Sequence, residues 1–222
     1  MVDWCIATTL EGAGFEVIDL GVDVAPETFV ESVRNLRTSI LLSSADREPR
    51  LIMLTSTIPG EGKTTQTLAL ARSLATMGRK VLVIEGDIRR CTFREYFNAE
   101  VKGGLVAAVV EGRPLEEIVH VDKTLGFDVL MGEKASMNAA DFFSSRKFTD
   151  FLDRARKTYE FILIDTPPVL AVPDARVIGQ TVDAVVYVVR WDQTPRPLVR
   201  QGLHAFSTVN VPIAGLVLSQ ID

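Results

Sequence analysis

Leu51-Ile-Met-Leu-Thr-Ser-Thr57-Ile-Pro-Gly60-Glu-Gly62-Lys63-Thr64-Thr65-Gln66 decides the fold. Leu51 to Leu54 form an apolar run short enough for a parallel strand buried on both faces. From Thr57 to Thr64 the residues have the spacing of a phosphate-binding loop. Gly60 and Gly62 let the backbone wrap so that successive N–H groups converge on phosphate oxygens. Lys63 brings a point charge toward the β- and γ-phosphates, and Thr64 offers a hydroxyl to Mg²⁺. The helix that starts at Gly62 aims its positive end at the same anion. Pro59, Gly60, Glu61, Gly62, Lys63, Thr64 and Thr65 are therefore the expected nucleotide cradle. Thr57 stands where glycine is usual, at a strand exit that has no need of positive φ.

Two further apolar runs end in acids. Lys80 to Ile84 leads into Glu85-Gly86-Asp87-Ile88-Arg89-Arg90, and Phe161 to Ile164 leads into Asp165-Thr-Pro167-Pro168. An open α/β sheet presents the carboxyl ends of its strands at the ligand crevice. Alone, residues 85–90 would read as a surface turn. Downstream of a phosphate loop, their carboxylates and Arg89 are placed for Mg²⁺ and phosphate. Asp165 matches a Walker B acid, whose carboxylate holds Mg²⁺ through its water shell, and the two prolines stop its strand.

Outward from these runs the chain alternates. A helix over residues 3–12 ends at Gly12-Ala-Gly14, and Glu16 to Leu20 reads as a strand. Pro26 opens a helix reaching Ser43. The helix after the phosphate loop keeps Leu68, Ala71, Leu74 and Ala75 on one face and closes at Gly78. Short helices are expected over 105–110 and 115–119, a strand over 127–131, and a loop with a helical turn over 137–143. An amphipathic helix covers 146–158. Strands over 183–190 and 213–219 flank a helix over 198–209. The predicted fold is an α/β P-loop NTPase with a doubly wound, mostly parallel sheet, three-layered and Rossmann-like, and an added N-terminal helix-strand.

Composition excludes several classes. Hydrophobic residues are 47% and charged residues 24%, an ordinary globular balance, and a net charge of -5 gives no overall bias toward nucleic acid. Two cysteines, Cys5 and Cys91, point to a reducing compartment rather than a disulfide framework. His120 and His204 stand far apart without a metal-ligand pattern. No signal peptide or membrane-spanning run is read, so the expected location is cytoplasmic.

From about Glu31 to Asp222 the chain resembles the cytoplasmic catalytic domain of bacterial tyrosine kinases. Four features carry the likeness. They are Glu31-x-x-Arg34-x-x-Arg37, the Thr57–Thr64 loop as Walker A, Val81 to Arg90 as Walker A′, and Phe161 to Pro168 as Walker B. Related MinD/ParA-type ATPases carry an extra lysine where this chain has Ile58, which favours the kinase branch. The resemblance implies ATP or ADP and Mg²⁺ as cofactors, with Lys63, Glu85, Asp87 and Asp165 as the catalytic set and Thr64, Asp87 and Asp165 around the metal. Glu85 or Asp87 would accept the tyrosine proton. It also implies self-association through Glu31, Arg34 and Arg37, and a membrane adaptor or activator at the inner-membrane face. Two departures stand out. Glu85 replaces the usual aspartate and extends its reach by about 1.5 Å. A tyrosine-rich tail is lacking, so self-phosphorylation is expected to be weak.

Residues 5 to about 34 resemble part of a corrinoid-protein cobalamin domain, without its cobalt-ligating histidine loop. A chimera is therefore expected, with residues 1–33 docked on the domain formed by 34–222 and binding no cobalamin. The alternative function is a nucleotide-binding scaffold or slow ATPase.

Overall fold

The computed structural model describes residues 17–19, 26–43, 48–98, 103–122, 124–134 and 138–220. The helix expected over 3–12, its Gly12–Gly14 break, Cys5, and the ends at Ile221 and Asp222 lie outside the described residues. In chain order the elements are β1 (Val17–Asp19), α1 (Pro26–Leu42), β2 (Leu51–Ser56), α2 (Lys63–Ala75), β3 (Val81–Glu85) and α3 (Phe93–Tyr96). A π-helical turn (Ala107–Glu111) follows, then α4 (Leu115–Ile118), β4 (His120–Asp122), β5 (Phe127–Leu130), α5 (Ala139–Ser144) and α6 (Arg146–Thr158). The chain continues through β6 (Phe161–Asp165), α7 (Asp174–Gly179), β7 (Ala184–Arg190), α8 (Arg196–Ser207) and β8 (Gly215–Ser219).

The eight strands form one sheet in the order β1-β8-β7-β2-β6-β3-β5-β4. Every pairing is parallel except β4 with β5. β2 lies between β6 and β7, so the phosphate loop leaves from the middle of the sheet. β6 runs beside β3 with Asp165 opposite Glu85 and beside β2 with Asp165 opposite Leu54. Parallel register thus brings the exits of β2, β3 and β6 to one edge. At the far end of the sheet, β1 pairs with β8, Val17 opposite Leu216. The strand expected over 16–20 therefore joins the sheet edge.

Both faces of the central strands are covered, which is why their sequences are continuously apolar. Leu51, Met53, Leu82, Ile84, Ile162 and Ile164 pack under α5, α6, α7 and α8, with Phe142, Phe148, Phe151 and Phe206 filling that layer. Ile52, Leu54, Val81, Val83 and Leu163 pack on the other face against Leu36 and Ile40 of α1 and Leu70, Ala71 and Leu74 of α2. Leu70 and Leu74 are the leucines of α2 fully in the core, whereas Leu68 is only partly buried.

Five elements depart from the sequence expectation. The stretch over 107–111 is a π-helical turn, not an α-helix. Its loosened carbonyls are met from α6, where Arg154 donates to Ala108 O at 3.0 Å and Lys147 to Val110 O at 3.3 Å. The short edge strand β4 and the short helices α3 and α7 were not foreseen. α5 forms a full helix with Asn138 as its cap, accepting from Ala140 N.

Candidate nucleotide and metal site

The phosphate loop is shaped by its glycines. Gly60 and Gly62 have φ of 86° and 82°, and Gly62 is also the N-cap of α2, with no side chain capping the helix. A Cβ at Gly62 would sit 3.4 Å from both Ser219 Oγ and Gln220 Nε2. The N–H groups of Gly60, Glu61, Gly62, Lys63, Thr64 and Thr65 find no acceptor among the described residues. Six unpartnered donors around one turn, at the start of a 13-residue helix, are an anion cradle.

The loop is held from outside. The Glu61 side chain turns into the protein and is almost wholly buried. Its carboxylate accepts from Ile58 N at 2.7 Å, Arg190 N at 3.2 Å and Thr194 Oγ1 at 2.5 Å. Glu61 thus offers a phosphate only its backbone N–H, while its side chain braces the loop against β7. Ser219 Oγ donates to Glu61 O at 2.5 Å and Gln220 Nε2 to Gly60 O at 3.3 Å. Thr57, the residue in the usual glycine position, accepts from the buried Tyr187 hydroxyl.

At the exit of β6, Asp165 is 3% exposed. Its Oδ2 accepts from Thr64 Oγ1 at 2.6 Å, and its Oδ1 is buried without a partner among the described residues. Burial pushes the Asp165 carboxyl up to about 6, against the attraction of Lys63 and the Thr64 bond. Glu85 and Asp87 add a smaller push in the same direction. A buried carboxylate oxygen without a partner, on an acid already bonded to the Thr64 hydroxyl and close enough to feel Lys63, fits a hydrated divalent cation. Thr64 and Asp165 are the residues that would hold it, with Asp87 nearby, and the cation would neutralise phosphate charge.

The two acids after β3 are not equivalent. Glu85 is buried and fully engaged. It accepts from Phe93 N at 2.9 Å and Thr92 Oγ1 at 3.3 Å through one oxygen, and from Gly132 N at 2.7 Å through the other. Burial raises its carboxyl above the ordinary range. The longer side chain ties the β3 exit to α3 and to the end of β5. The Asp87 carboxylate accepts only Arg90 N at 3.1 Å among the described residues. Between them Gly86 is needed for close approach, because a Cβ there would lie 2.9 Å from Ile164 Cγ2 and 3.0 Å from Asp165 O. Arg89 is not free over the loop. It forms a two-pronged pair with the buried Asp174 of α7, at 2.8 and 3.1 Å. Gly86 and Asp174 are site residues that the sequence reading passed over, although Gly86 sits inside the quoted motif.

The self-association residues divide. Glu31 and Arg34 form an exposed pair at 3.0 Å, whereas Arg37 donates to Ser73 O at 3.0 Å and Ser73 Oγ at 2.9 Å on α2. A groove of about 290 Å³ lies between α1 and the C-terminal half of α2, lined by Phe29, Val33, Arg34, Arg72 and Ser73. It is remote from the phosphate loop at the other end of α2, and the chemistry belongs to the loop. Among the described residues, no helix is long and apolar enough to cross a membrane.

Comparison with known proteins agrees with this geometry. A family model described as "AAA domain" matches residues 49–208. The tyrosine-protein kinase YwqD of Bacillus subtilis is 32% identical over 189 residues, 85% of this chain and 80% of that protein. EpsB of Ralstonia nicotianae is 30% identical over 90% of this chain, which spans only 26% of EpsB's length. The solved kinase domain of the Escherichia coli tyrosine kinase ETK superposes with a TM-score of 0.86 at 26% identity, covering 96% of this chain and 92% of that one. A kinase-domain likeness thus runs over nearly the whole chain, and nothing among these relatives supports a graft from a cobalamin domain.

Proposed function

This chain belongs to the family of bacterial tyrosine-protein kinases and carries its AAA domain, and on that premise we propose that it transfers the γ-phosphoryl of Mg-ATP to a tyrosine hydroxyl. The observation that carries the reading is Thr64 beside Asp165, with Oδ1 and six loop N–H groups unpartnered among the described residues. Phosphoryl transfer is mostly positioning plus electrostatics, so this constellation has the right parts.

In this reading the backbone N–H groups from Gly60 to Thr65 hold the β- and γ-phosphates, and Lys63 neutralises charge on them. Thr64, Asp87 and Asp165 hold the Mg²⁺ shell. Asp87 takes the tyrosine proton, since the Glu85 oxygens are already occupied by three donors. Glu85 and Glu61 position, and Arg89 sets the β3 exit through Asp174. A scaffold or slow ATPase is the weaker alternative, because the relatives are named tyrosine-protein kinases.

The chain is read as one globule, with 1–33 docked through β1 on 34–222. No cobalamin is assigned to it, since no histidine precedes His120. Work in the cytoplasm with a membrane adaptor is the family-type setting we propose. Self-association through Arg34 is expected to be weak.

The test is calorimetry of Mg-ATP and Mg-ADP binding, paired with tyrosine labelling of a glutamate–tyrosine copolymer. Lys63→Ala should lose most of the affinity and all of the labelling. Unchanged binding in Lys63→Ala would place the site elsewhere.

A further inference from the structure

The exits of β3 and β5 lie side by side at the edge that carries the site. Ile84 pairs with Leu130, and just beyond them Gly132 N donates to Glu85. After β3 the chain turns on Asp87, whose carboxylate accepts Arg90 N and whose carbonyl accepts Cys91 N at 3.0 Å. This turn stands against the metal-holding acid, since Gly86 N donates to Asp165 O at 2.7 Å.

The charges of this rim are sorted. Its acids face inward. Glu85 is buried among three donors, Asp87 is 9% exposed, and Glu133 accepts from Ala107 N at 2.8 Å. Glu95 is exposed, but it lies on α3 beyond the Phe93 N–H that anchors the chain to Glu85. Two of the cations are held, Arg89 by Asp174 and Arg94 by Gly103 O at 2.9 Å. Arg90 and Lys134 are left facing solvent. Both are exposed, and neither side chain has a hydrogen bond or ion pair among the described residues. They arrive from different strands yet meet around Cys91. Burial pushes the Cys91 thiol up to about 11, Glu85 and Asp87 add to that push, and Lys134 and Arg94 draw it back. Arg90 is the neighbour of Cys91 in the chain, so Asp87, Arg90 and Lys134 surround one side chain.

We propose that Arg90 and Lys134 form an acceptor subsite that selects tyrosines flanked by glutamate or aspartate. The proposal rests on the kinase reading above and names the substrate class of that site. A phenol that reaches Asp87 also approaches Asp165 and a triphosphate, all of them anionic. An acidic peptide would be repelled there unless cations met it at the rim. Arg90, after β3, offers a planar fork to a carboxylate, and Lys134, after β5, offers a point charge. The tyrosine enters between them, with an acidic residue on either side.

The experiment uses the full chain, Mg-ATP and three synthetic peptides with one tyrosine each, flanked by glutamate, glutamine or lysine. The glutamate peptide should have the lowest KM, about tenfold below the glutamine peptide at low salt, and the lysine peptide the highest. The advantage should shrink as salt is added. Arg90→Gln/Lys134→Gln should raise the KM of the glutamate peptide to that of the glutamine peptide. In the same variant kcat, and the Mg-ADP affinity measured by calorimetry, should be unchanged. Arg90→Glu/Lys134→Glu should turn the preference toward the lysine peptide. Equal KM values for the three peptides in the unaltered chain overturn the proposal and leave the kinase reading intact. So does a glutamate preference that survives in Arg90→Gln/Lys134→Gln. If none of the peptides is labelled although Mg-ADP binds, the kinase reading falls and the proposal with it.

Discussion

The Tyr187 hydroxyl donates to the Thr57 hydroxyl at 3.0 Å, joining the middle of β7 to the first residue of the phosphate loop. Burial pushes the Tyr187 phenol far above its ordinary range, so it remains a donor at any working pH. The fit around it is tight. A Cβ on Gly202 of α8 would collide with the Tyr187 hydroxyl and lie 3.1 Å from Tyr187 Cζ and Val169 Cγ1. Gly202→Ala is therefore expected to cost about 1–3 kcal/mol by overpacking. Tyr187→Phe should cost about 1 kcal/mol for the lost bond. The double variant should be more stable than Gly202→Ala alone, because the colliding oxygen is gone. Urea melts of the four proteins close the cycle, and additive losses would show that Gly202 is not reserved for that hydroxyl.

A second prediction concerns Asp165. Burial moves its carboxyl from 3.8 up to about 6. The folded chain then binds this proton more tightly than the unfolded chain does. The unliganded protein thus has its full stability from this group at low pH and loses it as pH rises through that window. Asp165→Asn cannot ionise and keeps an oxygen for Thr64. At pH 7 without nucleotide the variant should be more stable by on the order of 3 kcal/mol, and the gap should close toward pH 4. Mg-dependent nucleotide binding should vanish in the same variant. Thermal melts across pH decide it: a pH-independent difference would mean that Asp165 is not the strained group.

The two acids after β3 should separate cleanly. Glu85→Gln turns one oxygen into an NH₂ group facing a backbone N–H, which costs about 1–3 kcal/mol of stability. Asp87→Asn loses little stability, since Asp87 accepts one bond, but should lose most of the turnover. Melting temperature and copolymer labelling, measured side by side, test the division. A stable Glu85→Gln chain with no activity would instead put the proton on Glu85.

Local pattern made the frame legible and distance hid the bracing. Leu51 to Thr65 shows its strand, loop and helix within one short window, and Phe161 to Asp165 does the same for its strand and acid. The struts that hold the loop join residues far apart in the chain: Thr57 to Tyr187, Glu61 to Thr194 and Arg89 to Asp174. No periodicity announces such pairs, so Glu61 and Arg89 looked like phosphate ligands. β4 escaped notice because three residues on an antiparallel edge carry almost no pattern of their own. The π-helical turn depends on Arg154 and Lys147, which come from another helix.

The last prediction separates Arg34 from Arg37. Sequence likeness placed both in a helix that joins copies. Arg37 is half-buried and gives two hydrogen bonds to Ser73, so its work lies within one chain, between α1 and α2. Arg34 is exposed beside Glu31, where an ion pair contributes little. Arg37→Ala should cost about 1–2 kcal/mol, since it strips a charge-assisted donor from Ser73. Arg34→Ala should change stability by less than about 0.5 kcal/mol. Light scattering of the unaltered chain is expected to show a monomer or a weak, concentration-dependent oligomer. Any high-mass component should then disappear in Arg34→Ala, whose fold is unchanged. If it disappears only in Arg37→Ala, the cause is the loosened α1–α2 packing rather than a lost contact between copies. A high-mass species that survives both substitutions would take assembly away from this helix altogether.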